Sequence, residues 1–206
     1  MNKAYKIESF CSIKNNKISL NNTLLFENKD ALSFSEFSKT AYKKLDLHYA
    51  KFFKMDYLSK LAFLTAEVLL KNVGITSDQE QNIALVFSNN ASSLDTDRKH
   101  QQSIQNKNEY YPSPAVFVYT LPNICLGEIS IKYKLYSENS FFIFDHFNAQ
   151  HLMYYAHELL KTNKAEKVLC AWVEFNEDHY HSFLYLVSKE GEIEHNETEI
   201  LKLYNQ

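Results

Sequence analysis

Five consecutive apolar residues, Ile83-Ala84-Leu85-Val86-Phe87, stand between Asn82 and Ser88. A run this short, apolar at both alternating sets of positions, fits a strand covered on both faces, and that requires helical layers on either side of a sheet. A covering helix is legible just before it. Asp56 can cap, Leu58, Leu61, Ala62, Thr65, Val68 and Leu69 make one stripe, and Gly74 closes the helix.

The remaining chain supplies more of the same layers. Tyr5, Ile7, Phe10 and Ile13 predict a strand over residues 4–13, followed by an Asn-rich loop over 15–23. Phe34, Phe37, Ala41 and Leu45 keep helical spacing across Ser35 to Leu45. After the apolar strand, residues 89–97 read as a loop with several capping side chains, leading into a polar stretch that ends near Asn108. Ser113 and Pro114 predict the cap and first residue of a helix that Leu121-Pro122-Asn123 interrupts, and a second helix runs from Ile124 to about Tyr133. Gly127 lies inside that second helix, where close backbone approach is expected. Phe141-Phe142-Ile143-Phe144 is a short strand that turns at Asp145-His146-Phe147 into a helix capped by Asn148. Leu152, Tyr155, Ala156, Leu159 and Leu160 form the buried stripe of that helix. Val168 to Phe175 and Ser182 to Ser188 are two strands separated by Asn176 to His181, and the polar tail has room for one short helix. The order implies an α/β domain spanning 1–206, with a mostly parallel mixed sheet of about five strands flanked by helices.

Composition narrows the functions. The net charge of −3 argues against nucleic acid or anionic membrane as a partner, and no apolar stretch approaches a membrane span, so a cytoplasmic location is expected. Cys11, Cys125 and Cys170 each sit in or beside an apolar run and read as small buried hydrophobes, not a disulfide framework. Fourteen Tyr and fifteen Phe supply large contact areas for a core or an interface.

No metal or cofactor is implied. Asp95 and Asp97 suit helix capping better than metal ligation. His151 and His157 stand six apart and lack the i, i+4 spacing of a helical metal site. Asp178-His179-Tyr180-His181 could bind zinc, but reads more simply as a solvated turn. Chemistry is best sought at the strand-to-helix corner, where helix N-terminal N–H groups favour developing negative charge.

From Pro112-Ser113-Pro114-Ala115 through Asn123-Ile124-Cys125-Leu126-Gly127 to Tyr133-Lys134-Leu135, and on through Ala149 to Ala165 and Lys167 to Glu174, the sequence resembles the N-terminal half of β-ketoacyl-acyl-carrier-protein synthases, a family with the thiolase-like fold. The resemblance implies a truncated thiolase-like half-fold, a single β-ketoacyl synthase N-terminal-like domain. It places His146 at the position of the family's nucleophilic cysteine, with Asp145 beside it. Condensation needs a thiolate that stores the acyl group as a thioester, and an acyl-imidazole is too labile for that role. The family's paired histidines, or histidine and asparagine, come from a C-terminal half that these residues do not include. In the family, the strand before the corner also pairs with its mate at the dimer two-fold.

The resemblance therefore implies an inactive, accessory or chain-length-factor-like partner in fatty acid, polyketide or aryl-polyene-type biosynthesis. Phe141, Phe142, Ile143 and Phe144 would lie at the interface of a homodimer or of a heterodimer with a full-length ketosynthase, with an acyl carrier protein as a further partner. Two alternatives are a His146-dependent acyl transferase or thioesterase acting on acyl-carrier thioesters, and an acyl-chain binding module.

Overall fold

The computed structural model describes residues 5–108 and 110–206. Its N-terminal part contains β1 (Lys6–Lys14), β2 (Lys17–Leu20), β3 (Thr23–Glu27), α1 (Phe34–Lys44), a 3-10 turn (Ala50–Lys54) and α2 (Tyr57–Asn72). Next come β4 (Ile83–Asn89), α3 (Leu94–Ile104), α4 (Pro114–Val118), α5 (Ile124–Tyr133) and β5 (Asn139–Ile143). The chain continues through α6 (Ala149–Lys161), β6 (Lys167–Asn176), β7 (His179–Ser188), β8 (Ile193–Glu194) and α7 (Glu197–Tyr204). Of the expected first strand, Ala4 lies outside the described residues.

One sheet runs in the order β3-β2-β1-β7-β6-β4-β5, with β8 beside the start of β1. The α/β layering is as expected, but among the described residues the sheet has eight strands instead of about five. It is also not mostly parallel. Among the strands of the described residues, only β4 with β5 and β4 with β6 pair parallel; β1 with β2, β7 and β8, β2 with β3, and β6 with β7 pair antiparallel.

The difference comes from hairpins. Asn15-Asn16, Asn21-Asn22 and Glu177-Asp178 all have positive φ at both residues, the conformation of the two-residue turn that matches strand twist. Thus the polar tract 15–23 is not a loop but two tight turns flanking β2, and the connection between β6 and β7 is shorter than 176–181. Asparagine does here what glycine usually does, in a chain with three glycines. The stretch ending near Asn108 contains α3, which buries only Thr96 and so carries no apolar stripe to read.

Two cores sandwich the sheet. One face, with Leu85, Phe87, Leu169 and Leu184, packs on α1, α2 and α5. The other, with Val86, Trp172, Phe183 and Tyr185, packs on α6 and α7. The alternation along each strand decides which core receives each side chain. Every residue of β4 is buried, as a strand between two helical layers must be.

The helix starts follow their caps. Asp56 accepts from the Ser59 N–H at 2.9 Å, Ser113 from Val116, and Asn148 from His151. Gly127 differs from expectation: a Cβ built there meets nothing within 4 Å, so no close approach requires glycine. All three cysteines are free and buried.

Candidate functional site

The parallel strands β4, β5 and β6 end on the same side of the sheet, where crossover connections leave room for a site. At the end of β5 the chain bends through Asp145 and His146 before α6 begins. Phe147 is buried behind the bend, stacked on Tyr204 of α7 at 4.2 Å and edge-on to Trp172 at 6.1 Å. Burial of Phe147 turns its neighbours outward, and Asp145 and His146 are both exposed.

A hydrogen-bonded frame fixes the bend. Asn90 Nδ2 donates to the carbonyls of Phe144 and Asp145, each at 3.2 Å. The backbone N–H groups of Asn90 and Ala91 donate to Glu174 Oε2 at 2.7 and 3.3 Å. Glu174 at the end of β6 thereby holds the loop that holds the corner. Sequence reading did not find Asn90 or Glu174 as site residues, because the contacts join segments far apart in the chain.

Among the described residues, the Asp145 and His146 side chains make no hydrogen bond, ion pair or ring contact, so the carboxylate does not orient the imidazole. Among the described residues no thiol stands at the corner. The thiol of Cys170 lies inside β6, and burial pushes it up to about 12, so it is not a thiolate near neutral pH. Cys11 and Cys125 are raised by burial as well. The corner can present an imidazole to solvent; it cannot store a thioester on sulfur.

Phe142 and Phe144 face the α6 core and clasp His151 at 4.6 and 5.0 Å, while Phe141 packs on the opposite core. Ile143 points to solvent and is 50% exposed. The backbone of β5 is anchored at both ends to β4: Leu85 N–H donates to Glu138 O, and Phe144 N–H to Asn89 O, each at 2.9 Å. By alternation, Asn139, Phe141 and Ile143 turn their backbone N–H and C=O groups away from β4. β5 ends the sheet.

The residues weighed as metal ligands disperse. Asp97 accepts from Ser93 Oγ, and Asp95 pairs with Lys99 at 2.5 Å, both within the first turns of α3. Among the described residues, no three His, Cys, Asp or Glu side chains stand close enough to hold a metal ion, the 178–181 turn included. A cleft of ≈ 580 Å³ opens beside that turn, between Asn16, Leu32, Glu174 and His181.

The layered fold is that of solved ketosynthase and chain length factor structures, the thiolase-like fold. In particular, the chain superposes on the ishigamide ketosynthase/chain length factor with a TM-score of 0.66 at 15% identity, covering 90% of this chain and 62% of that one. It matches a chain in the complex of the ketosynthase ApeO with its chain length factor ApeC from Xenorhabdus doucetiae with a TM-score of 0.62 at 14% identity, covering 98% and 90%. A third match, to the AntDE:AntF complex of a type II acyl-carrier protein with its ketosynthase bound to the hexaketide, has a TM-score of 0.61 at 14% identity and covers 90% and 63%. Thus the chain spans less than two thirds of the first and third structures and nearly all of the second. No family model and no curated protein matches the sequence.

Proposed function

We propose that this chain acts as a single 1–206 unit, a non-catalytic ketosynthase-like subunit that pairs through β5 with a ketosynthase, in the manner of a chain length factor. The carrying observation is the open edge of β5. Its outward N–H and C=O groups at Asn139, Phe141 and Ile143 are a template for an added strand, and unprotected edges of this kind invite pairing. The segments before and after β5 in the chain carry exposed apolar side chains: Ile131 on α5, Tyr136 before β5, and Tyr154 on α6.

The matched structure of a ketosynthase in complex with its chain length factor supports a ketosynthase as partner over a second copy of this chain. The exposed, unoriented His146 supports a role without thioester chemistry in this subunit. The partner would supply the nucleophile and receive the acyl carrier protein during fatty acid, polyketide or aryl-polyene-type assembly.

Mass measured by light scattering, for the chain alone and mixed with a ketosynthase from the same cell, tests the pairing. Ile143→Lys should abolish the complex with an unchanged circular dichroism spectrum, because Ile143 is exposed in the single chain. An unaffected complex overturns the β5 assignment. Incubation with acyl-carrier thioesters should release no thiol above background; turnover that His146→Ala abolishes would make the chain an enzyme instead.

A further inference from the structure

Residues 193–206, comprising β8 and α7, close over the second core like a strap. Three histidines pack against this one segment. His195 lies within it, 4% exposed, and neither of its ring nitrogens has a hydrogen-bond partner among the described residues. Its ring stands edge-on to that of His157 on α6 at 4.9 Å and 5.7 Å from that of Tyr185 on β7. His157 bonds to the His195 backbone and touches Tyr5 at 5.1 Å, leaving its Nε2 unpartnered. At the other end of the strap, Tyr204 stacks on His181 of β7 at 4.9 Å, and His181 Nε2 is also buried without a partner.

The surroundings do not welcome a positive charge. Tyr185 and Cys170 are neutral, and Lys14 opposes charge on His181. Among the described residues, Glu158 beside His157, Glu174 opposite His181 in the β6–β7 pairing, and Glu194 and Glu197 within the strap form no ion pair with these three rings; Glu174 Oε2 instead accepts from Asn90 and Ala91, and Glu194 pairs with Lys6. A buried imidazole without a counter-ion is stable only uncharged. Burial accordingly lowers His157, His181 to about 4 and His195 to about 3.

We propose that residues 193–206 form a proton-operated latch, shut while His157, His181 and His195 are uncharged and released when they take up protons. Release would bare the His195 ring and the buried Nε2 atoms of His157 and His181, whose rings are half-buried while the strap is shut. The strap is entered through Gly191, whose φ is +117° and where a Cβ would lie 2.6 Å from Ile7 O, so the segment joins the sheet by a glycine pinned against β1. Opening would withdraw Tyr204 from Phe147, the residue after His146, and bare Trp172 and Phe183. Mild acid would thus loosen the corner from behind.

The sign follows from linkage. The open state binds more protons than the closed one between about pH 6.5 and the lowered values, so closure weakens as pH falls through that window. From pH 7.5 to 5.5 each deeply lowered histidine shifts opening about tenfold, or about 100-fold for His181 and His195 together.

Hydrogen exchange followed by mass spectrometry, corrected for intrinsic pH effects, reads this directly. Amides of 193–206 should lose about 100-fold in protection between pH 7.5 and 5.5 relative to those of β4 and β6. His181→Phe, which keeps a ring against Tyr204, should reduce that loss to about tenfold. Unchanged relative protection of 193–206, equal losses in β4 and β6, or an undiminished pH response in His181→Phe each overturn the latch.

Discussion

Asp56 joins two helices with one carboxylate. Oδ1 caps α2 by accepting from Ser59 N–H at 2.9 Å, and Oδ2 accepts from Thr96 Oγ1 of α3 at 2.8 Å. Asp56→Ala removes a cap worth about 1 kcal/mol. It also strands the Thr96 hydroxyl, which is 3% exposed, at a further cost of about 1–3 kcal/mol. The sum of about 2–4 kcal/mol corresponds to about 4–16 °C in midpoint for a chain of this size. Burial raises the Asp56 carboxyl above its ordinary value, so its charge is a cost above the unfolded-state value and the hydrogen bonds offset it. Asp56→Asn keeps an acceptor for Ser59 and an amide that can donate to the Thr96 oxygen, and should therefore cost less than about 1 kcal/mol. Thermal unfolding at pH 7, followed by circular dichroism, separates the two. Equal losses for Asn and Ala would refute the hydrogen-bonding account, since charge would then carry the effect. In a double-mutant cycle, Asp56→Ala with Thr96→Val should cost less than the sum of the single changes, because the stranded hydroxyl is gone.

Gly127→Ala should stabilise the chain by about 0.5–1 kcal/mol, since α5 gains helix propensity and the new methyl meets open space. A fall in urea midpoint would show that glycine is required there. Cys11, Cys125 and Cys170 should resist iodoacetamide in the native protein and react fully in guanidinium, because burial withholds both access and the thiolate. Mass spectrometry counts the labels, and fast labelling of any one in the folded chain contradicts its burial.

Strands and helices whose burial is written in apolar periodicity were legible from sequence: β1, β4, β6, α2 and α6 fall where their stripes put them. Elements defined by other signals were not. α3 is polar around nearly its whole circumference, and β2 sits between, and β3 follows, Asn-Asn pairs that read as loop when glycine is taken as the only residue for positive φ. The β6–β7 hairpin is legible from its short connection, but the β1–β2 and β2–β3 hairpins hidden in the Asn-rich tract each add a further antiparallel pair. At the site, the corner could be read because a strand meets a capped helix there. The Asn90–Glu174 frame and the histidines around the strap could not, because each depends on register between strands.

The position of β1 has a consequence for biosynthesis. Its inner neighbour is β7, with Lys14 opposite His181 and Lys6 opposite Ser188, so β1 waits for a strand translated long after it. On the ribosome, Cys11 and Ile13 emerge long before their cover can form, and the early β1–β2–β3 meander must be sheltered or kept dilute until the β6–β7 hairpin arrives. Completion of the sheet is therefore a late, long-range event in the life of the nascent chain.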